Sequence, residues 1–278
     1  NGYRRILVVG GDGSLHEAFN GIMKWCHANN VDPGEFKLAV MPIGSGNDWI
    51  KSTGVPRDTE EAIELIKKKS FGKQDVVRAT FLRPASYEPL PDKVTYMLNI
   101  GGVGFDSRVC ERVNDQKALG QTHKMIYFKA LLNVIGNFYS FPVRILANDA
   151  QIFEGECYSI AYGIGKYSGG GMRQVPSAIL DDGLLNMTII PKMSIISLLC
   201  KLPKLFNGKL EGTRPLMFIK SRSITILPAS EQMESIEFDG EVPGHIPVRL
   251  DVVEDQLNIL VGDDSGIIEE IKSRIRKH

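Results

Sequence analysis

The sequence predicts two unlike domains in one chain, a doubly wound α/β unit followed by an antiparallel β-sandwich. Three observations predict it. The 278 residues suit two domains of ordinary size. Up to Asp75 the order is apolar strand, Gly-rich loop, amphipathic helix, apolar strand, Gly-rich loop. Past Asp75 the texture changes to short strands joined by turns. The expected boundaries are residues 1–78 plus a C-terminal helix at 264–278 for the first domain, and 79–263 for the second.

Ile6 to Val9 is a continuous apolar run of the kind a buried parallel strand shows. It leads into Gly10-Gly11-Asp12-Gly13 and then a helix with Leu15, Phe19, Ile22, Met23 and Cys26 on one face. Ser14 and Glu17 have the S-x-x-E spacing of a capping box. His16 lies off the apolar stripe, open either to a ligand or to solvent. Lys37 to Met41 is a second apolar strand, followed by Pro42-Ile43-Gly44-Ser45-Gly46-Asn47-Asp48. Asp58, with Glu61 three residues on, starts another helix that runs to Lys69.

In the second half, strands are expected at Val76 to Phe81, Thr95 to Ile100, Val143 to Leu146, Ile152 to Ile164 and Leu184 to Ile190. Four more follow at Ser223 to Leu227, Ser235 to Phe238, Val248 to Val253 and Leu257 to Val261. Asn148-Asp149 and Asp239-Gly240 have the chemistry of hairpin turns. Helical stretches interrupt near Lys124 to Gly136 and Ile195 to Phe206, and Ile267 to Arg276 reads as a short amphipathic helix.

Composition excludes several classes. Lys plus Arg and Asp plus Glu both number 33, which argues against general polyanion binding, so no nucleic-acid partner is expected. Cys26, Cys110, Cys157 and Cys200 form no C-x-x-C spacing and read as buried free thiols in a reducing compartment. No apolar run reaches the roughly 18 residues a spanning helix needs. With no signal-like start, a cytoplasmic protein is expected.

The first Gly-rich loop follows a parallel strand, where ligands bind in open α/β sheets. Its glycines let backbone approach phosphates, and the next helix offers free N–H groups to an anion. A carboxylate beside phosphates is repulsive unless a cation intervenes, so Asp12 suggests Mg²⁺, held directly or through water. The second loop repeats the logic, with Ser45 and Asn47 suited to a phosphate or ribose. Two such loops frame one cleft. Taken alone, Asp239-Gly240 and Asp181-Asp182-Gly183 are simply turns.

Gly10-Gly11-Asp12-Gly13-Ser14-Leu15-His16-Glu17 with Asn20-Gly21 resembles the GGDGT-x-x-E-x-x-N-G signature of the diacylglycerol kinase catalytic domain, shared in varied form by sphingosine and ceramide kinases. Pro42 to Asp48 is similar to that family's P-x-G-T-x-N-D. Asn99 to Asp106 resembles its N-x-x-x-G-x-D, and Gly169 to Met172 with Pro176 and Leu180 to Leu184 its G-G-G-M and D-D-G stretches. Asp239-Gly240-Glu241 resembles its D-G-E. The motifs fall in family order along nearly the whole chain, closest to the bacterial type.

The resemblance implies a lipid kinase that transfers phosphate from Mg-ATP to a lipid hydroxyl, with ATP between the two domains. Gly10, Gly11, Asp12, Gly13, Ser14, Leu15, His16, Glu17, Gly44, Ser45, Gly46 and Asn47 would hold the nucleotide. Asp12 would engage the catalytic Mg²⁺, with Asp48 and Asp75 as further candidates. Asp182 and the carbonyls of Ile179 and Leu184 would hold a structural metal. Asp239 or Glu241 would accept the proton of the lipid hydroxyl, a role the chemistry also asks for because an alcohol is a poor nucleophile. Ser14 and Ser45 replace the usual Thr and keep its hydroxyl. The family's first strand, with an N-P-x-S-G loop and one further β-α unit, has no counterpart here, so the chain is expected to begin partway through a longer protein.

A lipid substrate implies peripheral contact with the inner membrane face. Lys67-Lys68-Lys69 with Lys73 could meet anionic headgroups or simply complement a helix end, and Lys129 could reach a phosphate or stay solvated. A homodimer through an exposed sheet edge stays open. The competing readings are an NAD kinase, which also carries GGDG, and a catalytically silent nucleotide-binding module.

Overall fold

Arg5–Gly10 (β1) and Lys37–Pro42 (β2) pair in parallel, in register from Arg5 opposite Lys37 to Gly10 opposite Pro42. This pair opens the chain in the computed structural model, which describes residues 2–43, 46–118 and 139–262. Helix α1 (Asp12–Asn29) joins the two strands and buries Leu15, Phe19, Ile22, Met23 and Cys26, the face expected from their spacing. Its start differs from the expectation. Gly11 is the N-cap and Asp12 the first helical residue, with no side-chain cap. Ser14 therefore already lies inside the first turn, and the Ser14–Glu17 capping box is not formed.

A 3₁₀ turn at Pro33–Glu35 leads into β2. After the second loop come α2 (Trp49–Thr53) and α3 (Thr59–Lys68). Asp58 caps α3 as expected, its side chain accepting from Glu60 N and Glu61 N. α1 packs on β1 and α3 on β2. β2 is buried on both faces, whereas β1 is the outermost strand among the described residues and leaves Leu7 and Val9 exposed.

β3 (Phe71–Leu82) and β4 (Pro89–Met97) form an antiparallel pair, and β5 (Ile100–Gly104) runs into α4 (Phe105–Ala118). β6 (Phe141–Ala147) and β7 (Ala150–Gly163) form a hairpin across Asn148-Asp149, both at positive φ. β8 (Tyr167–Ser168) and β9 (Met172–Arg173) make a separate small hairpin. Next come β10 (Leu185–Pro191), helices α5 (Ile195–Leu199) and α6 (Leu202–Asn207), β11 (Met217–Ser221) and β12 (Ser223–Pro228). β13 (Ser235–Phe238), β14 (Glu241–His245) and β15 (Val248–Leu260) complete the described elements.

One sheet runs through both halves in the order β1-β2-β15-β12-β6-β7-β5-β13-β14, with β3 and β4 branching from β15 and β10 and β11 from β7. β15 is the hinge of this arrangement. Its first part pairs antiparallel with β12 and β3, and a register shift between Val253 and Leu257 re-aims the strand. Asn258 and Ile259 then pair in parallel with Lys37 and Leu38 of β2. The 78/79 boundary falls inside β3, which pairs with β15 along most of its length. Strands β3 and β15 thus serve both halves, and one continuous core runs from Leu38 and Trp49 through Val76 and Tyr162 to Phe238 and Ile259.

Several elements were not legible in the pattern, and the strand expected over Thr95 to Ile100 is split between the end of β4 at Met97 and the start of β5 at Ile100. α4 is polar and, among its described side chains, buries Val109, Val113 and the small Ser107, so its periodicity is faint. β4 starts at Pro89, before the alternation becomes clear, while β11 and β14 are short. The helix expected over Ile195 to Phe206 is two helices, broken at Cys200-Lys201, with Pro203 in the first turn of the second. The helices expected near Lys124 to Gly136, with Lys129, and at 264–278 lie outside the described residues. Of the four free cysteines only Cys26 and Cys157 are buried, while Cys200 is exposed, so burial does not explain all of them. No helix among the described residues is long and apolar enough to cross a membrane.

Candidate active site

The two N-terminal loops meet at Asp12. Its Oδ2 accepts from Asp48 N at 2.9 Å and its Oδ1 from Trp49 N at 3.3 Å, so one carboxylate ties the start of α1 to the start of α2. The neighbouring glycines let the two loops pack closely around it. A Cβ on Gly46 would lie 3.2 Å from Asp12 Oδ2, and one on Gly11 would lie 3.4 Å from Asn47 Oδ1. Burial pushes the Asp12 carboxyl above its ordinary range, the two backbone hydrogen bonds oppose this, and the nearby Asp48 and Asp239 add to it. Like charges converging on a half-buried carboxylate are the electrostatics a bound cation would relieve.

The second loop also reaches the other half of the chain. Asp48 Oδ1 accepts from Lys51 Nζ at 2.5 Å and its Oδ2 from Gly170 N at 2.7 Å. Gly170 belongs to the Gly-Gly-Gly turn between β8 and β9, where positive φ at all three glycines folds the backbone back on itself. Trp49 Nε1 donates to Gln74 Oε1 at 3.0 Å, and Gln74 donates in turn to Leu98 O at 2.5 Å, all deep in the core.

The third component is the turn between β13 and β14. Asp239 at φ 51 and Gly240 at φ 93 form it, as the hairpin chemistry anticipates. Its side chain does more than turn the chain. Oδ1 accepts from Asn99 N at 2.9 Å and Ile100 N at 3.2 Å, while Oδ2 accepts from Leu98 N at 2.8 Å and pairs with His16 Nδ1 at 3.1 Å. His16 is therefore buried rather than solvated, against one of the two readings of its helix position. Burial pulls the imidazole's pKa down, but the Asp239 hydrogen bond and charge, helped by Glu241, outweigh that and hold it above its ordinary value. Asn20, one turn along α1, donates to Tyr96 O at 2.9 Å and accepts from Tyr96 N at 2.9 Å and Thr95 Oγ1 at 3.0 Å. α1 is thereby clasped to β4.

Glu241, exposed at the start of β14, faces the first loop, since a Cβ on Gly13 would lie 3.5 Å from its Oε1. Two further acids lie behind the turn. Glu237 is buried and accepts from Gly240 N at 2.5 Å; burial raises its carboxyl well above the ordinary range, with Asp106, Asp239 and Glu241 adding to the rise. Asp106 accepts from Ser159 Oγ at 2.5 Å and Gln174 Nε2 at 2.5 Å, and burial raises it too, against those two bonds. Sequence reasoning placed Asp106 in a motif without a role and overlooked Glu237, Ser159 and Gln174. A buried-position carboxylate in the strand Ser235–Phe238 was the available signal.

The remaining residues expected at the site divide clearly. Gly10, Gly11, Asp12, Gly13, His16, Gly46 and Asn47 gather where the loops meet, with Asn47 buried at φ 54. The Leu15 side chain points into the core and can offer a ligand only its backbone. Ser14 and Glu17 are exposed along α1. Gly44 and Ser45 lie outside the described residues. Asp75 is buried under the D-D-G loop, its Oδ2 accepting from Gly183 N at 2.6 Å, while Asp182 Oδ1 accepts from Leu184 N at 3.1 Å. Among the described residues no three His, Cys, Asp or Glu side chains converge as a ready metal site. Any Mg²⁺ at Asp12 must take most of its oxygens from phosphates and water, which is its habit.

Residues 1–79 match the diacylglycerol kinase catalytic domain and residues 100–261 the YegS C-terminal NAD kinase beta sandwich-like domain. The chain belongs to the YegS and diacylglycerol kinase family of lipid kinases. A Pseudomonas aeruginosa relative described as "Probable lipid kinase YegS-like" is 29% identical over 192 residues, 68% of this chain and 55% of that protein. The alignment thus spans just over half of that relative's length. A Staphylococcus carnosus "Diacylglycerol kinase" is 25% identical over 247 residues, 89% of this chain and 73% of its own. A diacylglycerol kinase crystal structure from Bacillus anthracis superposes with a TM-score of 0.63 at 21% identity, over 94% of this chain and 77% of that one, which establishes the shared fold. In this lipid kinase family member, the two matches cover both the loops around Asp12 and the turn at Asp239.

Proposed function

We propose that the chain phosphorylates a hydroxyl of a diacylglycerol-like lipid, using Mg-ATP bound where the two Gly-rich loops meet the β13–β14 turn. The observation that carries this is the convergence of three distant motifs: Asp12 with Asp48 and Trp49, Asp48 with Gly170, and Gly13 with Glu241. Gly10, Gly11, Gly13 and Gly46 let the phosphates approach the backbone at the start of α1. Asp12 carries the carboxylate for Mg²⁺, and the bound ion would neutralise phosphate charge during transfer. Asp48 and Lys51 hold the second loop against the Gly169–Gly171 turn.

The proton acceptor is one of the two carboxylates of the turn. Asp239 is fixed by four donors, and Glu241 is open and faces Gly13. Asp182 with the carbonyls of Ile179 and Leu184 would supply oxygen ligands to a hard structural cation, and Asp182 Oδ1 holds its loop through Leu184 N. The lipid substrate places the protein at a membrane surface as a peripheral partner, on the cytoplasmic side.

The test is phosphate transfer from Mg-ATP to diacylglycerol, ceramide, a sphingoid base and NAD in parallel, the lipids in mixed micelles. Transfer to one lipid that Asp12→Asn abolishes supports the reading and names the substrate class. Transfer to NAD alone assigns the chain to NAD kinase chemistry. ATP binding without transfer to any acceptor assigns it to a silent nucleotide-binding module. Comparing Asp239→Asn with Glu241→Gln, each checked for folding, identifies the base.

A further inference from the structure

Residues 195–207 carry an apolar ridge that no described element covers. Cys200 and Lys201, between α5 and α6, keep right-handed helical backbone, so helical spacing continues across the break. Ile195, Ile196, Leu199, Pro203 and Phe206 therefore fall along one side, and all are exposed. Ile196 is 77% exposed, Phe206 60%, Ile195 56% and Leu199 47%. A soluble monomer has little reason to leave four large apolar side chains in water within twelve residues, and such clusters mark interaction surfaces.

The charges around the ridge indicate what covers it. Residues 192–214 hold Lys192, Lys201, Lys204, Lys209 and Arg214 against the single carboxylate Glu211, in a chain whose net charge is +0. Lys192 is paired with Glu156. Lys201 Nζ instead donates to Ser197 Oγ at 2.7 Å and Lys204 Nζ to Thr213 Oγ1 at 3.0 Å. Those partners are neutral hydroxyls, and no carboxylate among the described residues pairs with either lysine beside the apolar ridge. Exposed apolar side chains flanked by uncompensated lysines suit the surface of an anionic bilayer: the apolar groups enter the acyl boundary and the ammonium groups meet the headgroups.

The ridge is joined to the candidate site through the β8–β9 hairpin. α6 packs on β9, and a Cβ on Gly208 would lie 2.7 Å from Arg173 Nη1 of that strand. The same hairpin holds Gly170, whose N–H binds Asp48 of the second loop. A bilayer touching α5 and α6 would thus be linked through the β8–β9 hairpin to the second loop.

We propose that the α5–α6 ridge is a docking surface for an anionic lipid bilayer, with Ile196, Leu199 and Phe206 inserting and Lys201 and Lys204 contacting headgroups. The choice of a bilayer over a protein partner rests on the lipid kinase reading together with these charges.

The test is co-sedimentation of the full chain, without nucleotide, with phosphatidylcholine vesicles and with vesicles also containing phosphatidylglycerol. The expected result is binding to the anionic vesicles that weakens as salt rises. Ile196→Glu with Phe206→Glu, and separately Lys201→Glu with Lys204→Glu, should each lower vesicle affinity by about tenfold or more. Ile63→Glu, an exposed apolar site on α3, should leave it unchanged, and thermal melting confirms that every variant is folded. Wild-type protein that ignores anionic vesicles, or ridge variants that bind as well as wild type, would overturn the proposal. So would a concentration-dependent dimer, dissolved by Ile196→Glu, in protein that does not bind vesicles, since the ridge would then join two copies of the chain. No phosphate transfer is measured, so failure here is separate from failure of the kinase reading.

Discussion

Replacing Asp239 by Asn tests whether the turn carboxylate holds the two halves of the site together. Each oxygen faces two donors: Asn99 N and Ile100 N on Oδ1, Leu98 N and His16 Nδ1 on Oδ2. While His16 Nδ1 carries its proton, an Asn amide turned either way brings its NH₂ against two groups that also donate. Two hydrogen bonds to a charged, buried acceptor are lost, at about 1.5–3 kcal/mol each, or roughly 3–6 kcal/mol in all. Against a typical total of about 5–15 kcal/mol this is a large fraction. The expected melting temperature falls by about 10 °C or more at pH 7. The pH dependence adds a second readout. His16 has a folded pKa raised above its unfolded value of about 6.5, so its contribution is fully present below that value and fades as pH rises through the higher folded one. Asp239→Asn removes that contribution, so the gap between wild type and variant should be widest in mild acid and narrow toward higher pH. Thermal melts monitored by circular dichroism from mild acid to mild alkali measure both. An Asp239→Asn protein that melts with wild type at every pH would refute the reasoning and leave Asp239 a purely chemical role.

Other substitutions separate chemistry from architecture. Asp12→Asn can keep one of its two backbone hydrogen bonds, so stability should change by no more than about 1–3 kcal/mol. Phosphate transfer should nonetheless fall by about 100-fold or more as the Mg²⁺ carboxylate is lost, measured by steady-state kinetics on folded protein. Gln74→Leu strands the Trp49 indole N–H and the Leu98 carbonyl in the core, and a loss of about 2–4 kcal/mol in denaturant melts is expected. Gly104→Ala places a Cβ against the Phe141 ring and 2.8 Å from Tyr158 O at φ +85, so it should melt well below wild type or fail to accumulate as soluble protein.

Local chemistry made the first layer of this protein legible in one dimension. Apolar runs at Ile6 to Val9 and Lys37 to Met41, the stripe on α1 and the Asp58 cap are short-range patterns, and the backbone obeys them directly. The turn at Asp239-Gly240 was equally readable, because positive φ at two successive residues selects a few residue types. What the turn's carboxylate does was not readable. It depends on Leu98, Asn99 and Ile100 being brought beside it by β5 pairing with β13, and on α1 turning His16 inward against β4. The same holds for Asp48 and Gly170, for the bend that lets β15 complete the sheet of β2, and for the ridge at 195–207. An apolar helical stripe has the same spacing whether it is buried or bare. Only the packing of distant segments decides which of the two it is, because side-chain period is a property of neighbours in sequence and burial a property of neighbours in space.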